Sequence, residues 1–365
     1  MKEAIGRTFY DLAQLDSTSK NEGDVVSMVS ERLIALGLQT KTDKMGNLIG
    51  FLPGEGEPIL LNAHLDGVPP GKGHIPVREG DILKSDRSTN LRADDLAGVS
   101  VILEATRAIV EEKRPHPPLV LAFTVQEEIG LLGAKALDLA EYNVNQGIVY
   151  DNAFEAGAVV GRGAAYVAFD VEVTGKETHP GKDLSQGANA IQVLIDTGIR
   201  VGEADNGQTR INIGTLSAGK ARNVVPGNLT LQGEVRSFLK DQDLDSRIAQ
   251  LQEIFQKAAA RSGAKVNFST KQLALAYSVN PNEPLVQVYK EVLEKRDEQL
   301  VLKETFVASD ANALRGEKHL NVFVISTGVR NEHSVDEIVD LVELEQLTID
   351  LIAILEKMAD KKVKP

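Results

Sequence analysis

Apolar residues in the first part of this chain fall into short unbroken runs. Residues 59–63 (Ile-Leu-Leu-Asn-Ala), 119–125 (Leu-Val-Leu-Ala-Phe-Thr-Val) and 147–150 (Gly-Ile-Val-Tyr) are brief enough to read as strands covered on both faces. Between the first two, Leu96, Val99, Ile102, Leu103 and Ile109 recur at helical spacing, which predicts a helix over residues 95–112 with one apolar face. A second helix is expected over residues 130–141. Alternation of this kind implies a layered α/β domain with helices flanking a central sheet.

The pattern changes near Gly161-Arg162-Gly163, which reads as a hinge. Val167, Phe169, Val171 and Val173 alternate with polar positions, as in a half-buried strand. Further strands are expected at 208–216, 228–238 and 264–270, with helices at about 188–202 and 244–260. This order suggests a small α+β unit with an antiparallel sheet. The α/β pattern then resumes, with a helix at 283–296, a strand at 321–325 and a helix at 342–358. The expected organisation is one domain formed by residues 1–162 and 276–365, interrupted by a second formed by residues 163–275.

Composition narrows the functional classes. The net charge is -13, which argues against nucleic acid as a partner, because phosphate binding needs a basic surface. No apolar run is long enough to predict a membrane span, and the first residues show no secretory pattern, so the cytoplasm is the expected compartment. The chain has no Cys, which leaves no disulfide, thiolate metal site or cysteine nucleophile. A transition metal would have to be held by His and carboxylates.

Five segments offer such ligands: Ala63-His64-Leu65-Asp66, Ala93-Asp94-Asp95, Gln126-Glu127-Glu128, Tyr150-Asp151 and Glu332-His333. Three of them directly follow predicted strands, where chemistry sits in open α/β sheets. His64 and Asp66 are two apart, so their side chains share a face. Asp94-Asp95 opens a predicted helix, where Asp also serves as an ordinary cap. Glu127-Glu128 ends an apolar run and precedes Ile129-Gly130-Leu131-Leu132, a setting in which unpaired charge is costly. Adjacent Glu side chains point in different directions, so one could bind a metal and the other act as general base toward water. His74, His116 and His319 lie in hydrophilic stretches and read as surface residues.

Taken in order, these segments resemble the M20 family of co-catalytic zinc peptidases, and most closely its peptidase T-like branch. The resemblance implies that His64 and Asp151 hold one zinc, that Glu128 and His333 hold the other, and that Asp94 bridges them ahead of a cis peptide. It makes Glu127 the water-activating base and Asp66 the residue that orients His64. It also implies that the inserted domain is a lid or dimerisation domain. There Gly175-Lys176-Glu177-Thr178-His179-Pro180-Gly181 would supply His179 to stabilise the tetrahedral intermediate. Asn223, in Asn223-Val224-Val225-Pro226-Gly227, and Arg236 would contact substrate. Gly67 and Leu96 depart from the family pattern, where many relatives carry Thr and Lys. A second peptidase family, M42, shares the Gln-Glu-Glu and Asp-Asp segments, but Asn-Val-Val-Pro-Gly and Asn331-Glu332-His333-Ser334 favour M20.

The expected activity is hydrolysis of a peptide bond in a small peptide, using two divalent ions, zinc before cobalt or manganese, in a homodimer formed through the inserted domain. An aminoacylase or carboxypeptidase on the same scaffold is the nearest rival. A non-catalytic metal- or peptide-binding protein is the more distant one, since no ligand position is replaced.

Overall fold

The computed structural model describes residues 1–151 and 154–360. It divides into two compact units, Met1–Arg162 with Ser278–Pro365, and Gly163–Tyr277.

The first unit is built on a mixed sheet. Four of its strands run parallel, in the order Leu119–Thr124, Ile59–His64, Gln146–Asp151 and Asn321–Ser326. Leu48–Leu52 and Gln39–Thr42 extend one edge antiparallel, and Val159–Gly163 pairs antiparallel with Asn321–Ser326 on the other side. Every residue of Ile59–His64 and Leu119–Thr124 is buried, as unbroken apolar runs require in a sheet covered on both faces. A separate three-stranded antiparallel sheet joins Pro76–Glu79, Ile82–Ser85 and Ile338–Asp340.

The helix Ala93–Glu111 packs on Ile59–His64 and Gln146–Asp151, and also on the helices Lys2–Ala13 and Leu341–Asp360. A single apolar face was the expectation. The helix is instead buried almost all round, with Ser100 and Thr106 donating their hydroxyls to carbonyls one turn back. Glu104, also buried, accepts a 2.6 Å bond from Thr8 Oγ1 and one from Arg107.

The helix expected over 130–141 is reduced to Leu132–Ala136 and a 3-10 turn at Ala140–Tyr142. Leu131 is left-handed (φ 60°) and Leu137 is extended, so helical geometry cannot run through either position. No Gly or Pro at these two positions announces the breaks. His74 also differs from expectation: it is buried, with Nδ1 2.9 Å from the carbonyl of Asn90 and 3.0 Å from Thr89 Oγ1.

The second unit is a five-stranded antiparallel sheet, in the order Gly202–Ala204, Thr209–Ala218, Asn228–Ser237, Ala165–Thr174 and Lys265–Ala274. The period-two alternation holds: Val167, Phe169, Val171 and Val173 are buried, together with Leu229, Leu231 and Val235 of the neighbouring strand. Helices Ala190–Thr197 and Asp241–Ser262 share this core, with Phe255 wholly buried. The first is shorter than the pattern predicts. Asn189 caps it, accepting from the N–H of Ile191 and Gln192, and Gly198 (φ 61°) ends it in the left-handed conformation.

Candidate metal centre

The parallel register brings three of the ligand-bearing segments to one end of the sheet. His64 is the last residue of its strand, Asp151 the last of the next, and Glu127 and Glu128 follow the end of Leu119–Thr124. Asp94 enters from the helix that packs on these strands. Its segment is irregular: Arg92 has φ 57°, and the Asp94–Asp95 peptide is cis. Asp95 Oδ1 accepts the N–H of Gly98 at 3.1 Å and so serves the start of the regular helix, while the Asp94 side chain points elsewhere. His333 arrives from the loop after Asn321–Ser326, itself left-handed at φ 61°.

The two oxygens of Asp94 face two different imidazoles. Oδ1 lies 3.5 Å from His64 Nε2, and Oδ2 lies 3.4 Å from His333 Nε2. His333 Nε2 is also 3.0 Å from Glu128 Oε1. Ligand atoms of His64, Asp94 and Asp151 fall within 4.8 Å of one another, as do those of Asp94, Glu128 and His333. A third overlapping group joins His64, Glu127 and Glu128. Two ligands bound about 2.0–2.1 Å from one tetrahedral ion would sit roughly 3.3 Å apart. The separations from Asp94 to His64 and His333 and from Glu128 to His333, 3.0–3.5 Å, match that spacing. Asp94 Oδ1 and Glu128 Oε1 are moreover buried without a hydrogen bond, which suits oxygens that face a cation. The donor set, imidazole and carboxylate without sulfur, suits zinc, cobalt or manganese.

Asp66 is differently employed from the simplest expectation. The 2.9 Å contact of His64 Nδ1 is to the backbone carbonyl of Asp66, and the nearest carboxylate oxygen is 3.6 Å away. That contact still fixes the ring and leaves Nε2 facing Asp94. The Asp66 carboxylate meanwhile accepts the backbone N–H groups of Glu127 (2.9 Å) and Glu128 (3.2 Å), and the hydroxyl of Ser19 (2.6 Å). Glu22 accepts the N–H of Gln126 at 3.1 Å. Two carboxylates therefore hold the backbone that carries the Glu pair.

Charge is concentrated here. Burial pushes Glu127 well above the usual carboxylate range, and Asp151, Asp310 and Glu128 add to this against the pull of His64. Burial would raise Asp94 too, but His333 and His64 outweigh it and hold Asp94 low. Contacts with Asp94 and Glu128 push His333 up to about 10. Burial works against the protonated form of His64, yet Asp66 and Asp94 raise it well above the ordinary imidazole value.

Seven expected residues thus converge in the first unit: His64, Asp66, Asp94, Glu127, Glu128, Asp151 and His333. The other three lie in the second unit. His179 is exposed, with Nδ1 accepting the N–H of Gly181 at 3.1 Å. Asn223 is exposed. Arg236 lies 3.7 Å over the ring of Tyr166 and 3.4 Å from Glu234. Gly67 and Leu96 have local reasons. A Cβ on Gly67 would lie 3.1 Å from the buried Arg92 side chain, and Leu96 is itself core.

Several residues escaped the sequence reading. Asp310 is buried beside the strand ends, accepting from Thr124 Oγ1 and, at 3.4 Å, from Asn62. Its signal was a charge within the small and apolar run Val307-Ala308-Ser309-Asp310-Ala311. Glu337 is buried and pushed up to about 7 by that burial; nothing local marked it.

Comparison with known proteins gives matches to peptidase families and structures. A family profile described as "Peptidase dimerisation domain" (M20_dimer) matches residues 162–263, and one described as "M42 glutamyl aminopeptidase" matches residues 62–164. The uncharacterised protein YqjE of Bacillus subtilis (strain 168) is 27% identical over 363 residues, covering 96% of this chain and 97% of that protein. Among solved structures, aminopeptidase PepT from Bacillus cereus ATCC 10987 superposes with a TM-score of 0.92 at 27% identity, over 98% of this chain and 99% of the other. A tripeptidase from Staphylococcus aureus subsp. aureus Mu50 gives 0.92 at 24% identity, over 99% of each chain, and shares the fold.

Proposed function

We propose that the chain is an M20 peptidase of the peptidase T-like type, and that it cleaves small peptides with a free amino terminus at a two-ion centre. The observation that carries the two-ion reading is the pair of Asp94 oxygens, each turned to a different imidazole at 3.4–3.5 Å. His64, Asp94 and Asp151 would hold one divalent ion, and Asp94, Glu128 and His333 the other, most simply zinc. Ions bound there would acidify a water and polarise the scissile carbonyl.

In this reading Glu127 is the general base. Its carboxylate takes a proton from the attacking water and delivers it to the departing amine. Asp66 keeps Glu127 in place through the backbone N–H it accepts. His179 is assigned to the oxyanion; its Nε2 is free to carry the proton, since Nδ1 already accepts from Gly181. Asn223 and Arg236 are assigned to substrate, where a guanidinium suits a carboxylate or a developing oxyanion. Residues 163–275 are read as the lid and dimerisation domain. Exposed Ile191 and Ile195, one helical turn apart, offer that domain an apolar face for a second copy.

A screen of free, N-acylated and C-amidated tripeptides with zinc, cobalt and manganese tests the substrate assignment. Hydrolysis should require the free amine. Cleavage that instead requires a free carboxylate would make the enzyme a carboxypeptidase, and selective hydrolysis of N-acyl amino acids an aminoacylase.

The protonation of the centre predicts a pH dependence for metal uptake. His64 and His333 are both raised, so in the metal-free protein at neutral pH they carry protons that an incoming ion must displace. Affinity should rise with pH between about 6 and 8, by up to roughly tenfold per unit for each proton released. Calorimetric zinc titrations at pH 7 in buffers of different ionisation enthalpy should report net proton release; buffer-independent heats would contradict it.

A further inference from the structure

We propose that Glu337 is the positioning residue for Asp94, and that it locks the loop carrying His333 to the segment carrying the bridging carboxylate. The inference rests on the two-ion reading above. Glu337 is 1% exposed and lies four residues after His333, just before the strand Ile338–Asp340. Its carboxylate is committed to backbone. Oε1 accepts the N–H of Asp94 at 3.0 Å, and Oε2 accepts the N–H of Leu91 at 2.8 Å. These bonds span 243 and 246 residues of sequence. They straddle the left-handed Arg92 and reach the residue that precedes the cis peptide.

Such an arrangement does what a ligand needs of its surroundings. The Leu91–Asp94 segment forms the irregular start of the helix, with Arg92 left-handed and Asp94 outside helical φ/ψ, and its N–H groups at Leu91 and Asp94 look to an outside acceptor. A carboxylate accepting two N–H groups in a buried place forms charge-assisted bonds with fixed geometry. The loop side is fixed as well: Arg330 and Ile338 exchange both backbone bonds at 3.0 Å, which brackets Glu337 and the His333 turn together. One side chain thereby sets the spacing between Asp94 and the loop of His333, the same spacing that places Asp94 Oδ2 3.4 Å from His333 Nε2. Glu337 would not itself touch the ions.

Glu337→Gln keeps the volume but offers one acceptor where two are used, and turns an amide N–H toward a backbone N–H. Zinc affinity, measured by chelator competition on the full chain, should weaken about 10- to 100-fold, the usual cost of losing a partner that orients a ligand. Glu337→Ala, which removes both acceptors, should weaken it further. Val339→Ala, in the wholly buried core two residues on, is the control for general loosening: it should lower the melting temperature and leave zinc affinity as in wild type. Wild-type affinity in Glu337→Gln would overturn the inference, as would an equal loss in Val339→Ala. If the wild-type chain itself binds no zinc pair, the two-ion reading fails and this inference falls with it.

Discussion

Glu127→Gln should lower kcat by about 10³-fold or more while the protein still takes up two ions, a loss within the range general-base catalysis supplies. Glu127 sits beside Glu128 but turns to the His64 side of the centre, and its backbone is held by Asp66. Burial and the neighbouring carboxylates of Asp151, Asp310 and Glu128 raise it well above an ordinary Glu, which suits the base proposed above. The amide keeps the shape and the hydrogen bond to Asp66, which is made by the backbone. Turnover of a tripeptide and metal content by elemental analysis, measured on the same sample, separate the two roles. Near-normal turnover would remove Glu127 as base; loss of an ion would make it a ligand instead.

The second large effect is at Asp94. Asp94→Asn leaves one oxygen where two are used and removes the negative charge between His64 and His333. Binding of the ion pair should weaken by more than the roughly 10- to 100-fold typical of an outer partner, and turnover should fall below detection at zinc concentrations that saturate wild type. One opposing term has a known sign. Without the Asp94 charge, His333 would titrate below its present value of about 10, so protons would compete less with the ion. The loss should therefore be somewhat smaller at pH 6 than at pH 8. Retention of two tightly bound ions in Asp94→Asn, by equilibrium dialysis, would show that Asp94 does not bridge.

The legibility of this chain followed the physics of each element. Buried strands were plain because a sheet covered on both faces needs unbroken apolar runs, and each of the runs at 59–63, 119–125 and 147–150 leads into a residue of the candidate centre. The alternation of Val167, Phe169, Val171 and Val173 revealed the antiparallel sheet for the same reason. The helix Ala93–Glu111 was found but misjudged, because Ser100, Thr106 and Glu104 look solvent-facing until their buried partners are known. The short helix after Gly130 was overextended because left-handed Leu131 carries no sequence mark. Most of the candidate site was readable, since imidazoles and carboxylates at strand ends are a small set of residues. Its supports were not. Ser19 donates its hydroxyl to the Asp66 carboxylate 47 residues on, Glu22 and Glu337 accept backbone N–H groups 104 to 246 residues away, and no local pattern encodes such pairings. The carboxylate of Asp66 shows the same limit: its place beside His64 was evident, its hold on Glu127 and Glu128 was not.

The central claim is that Asp94 bridges two ions held by two separate residue pairs. Anomalous diffraction at the zinc edge from a zinc-loaded crystal tests it most directly. Two peaks per chain are expected, one about 2.0–2.2 Å from ligand atoms of His64, Asp94 and Asp151, the other equally close to Asp94, Glu128 and His333. A single peak, or two peaks that do not share Asp94, would contradict it.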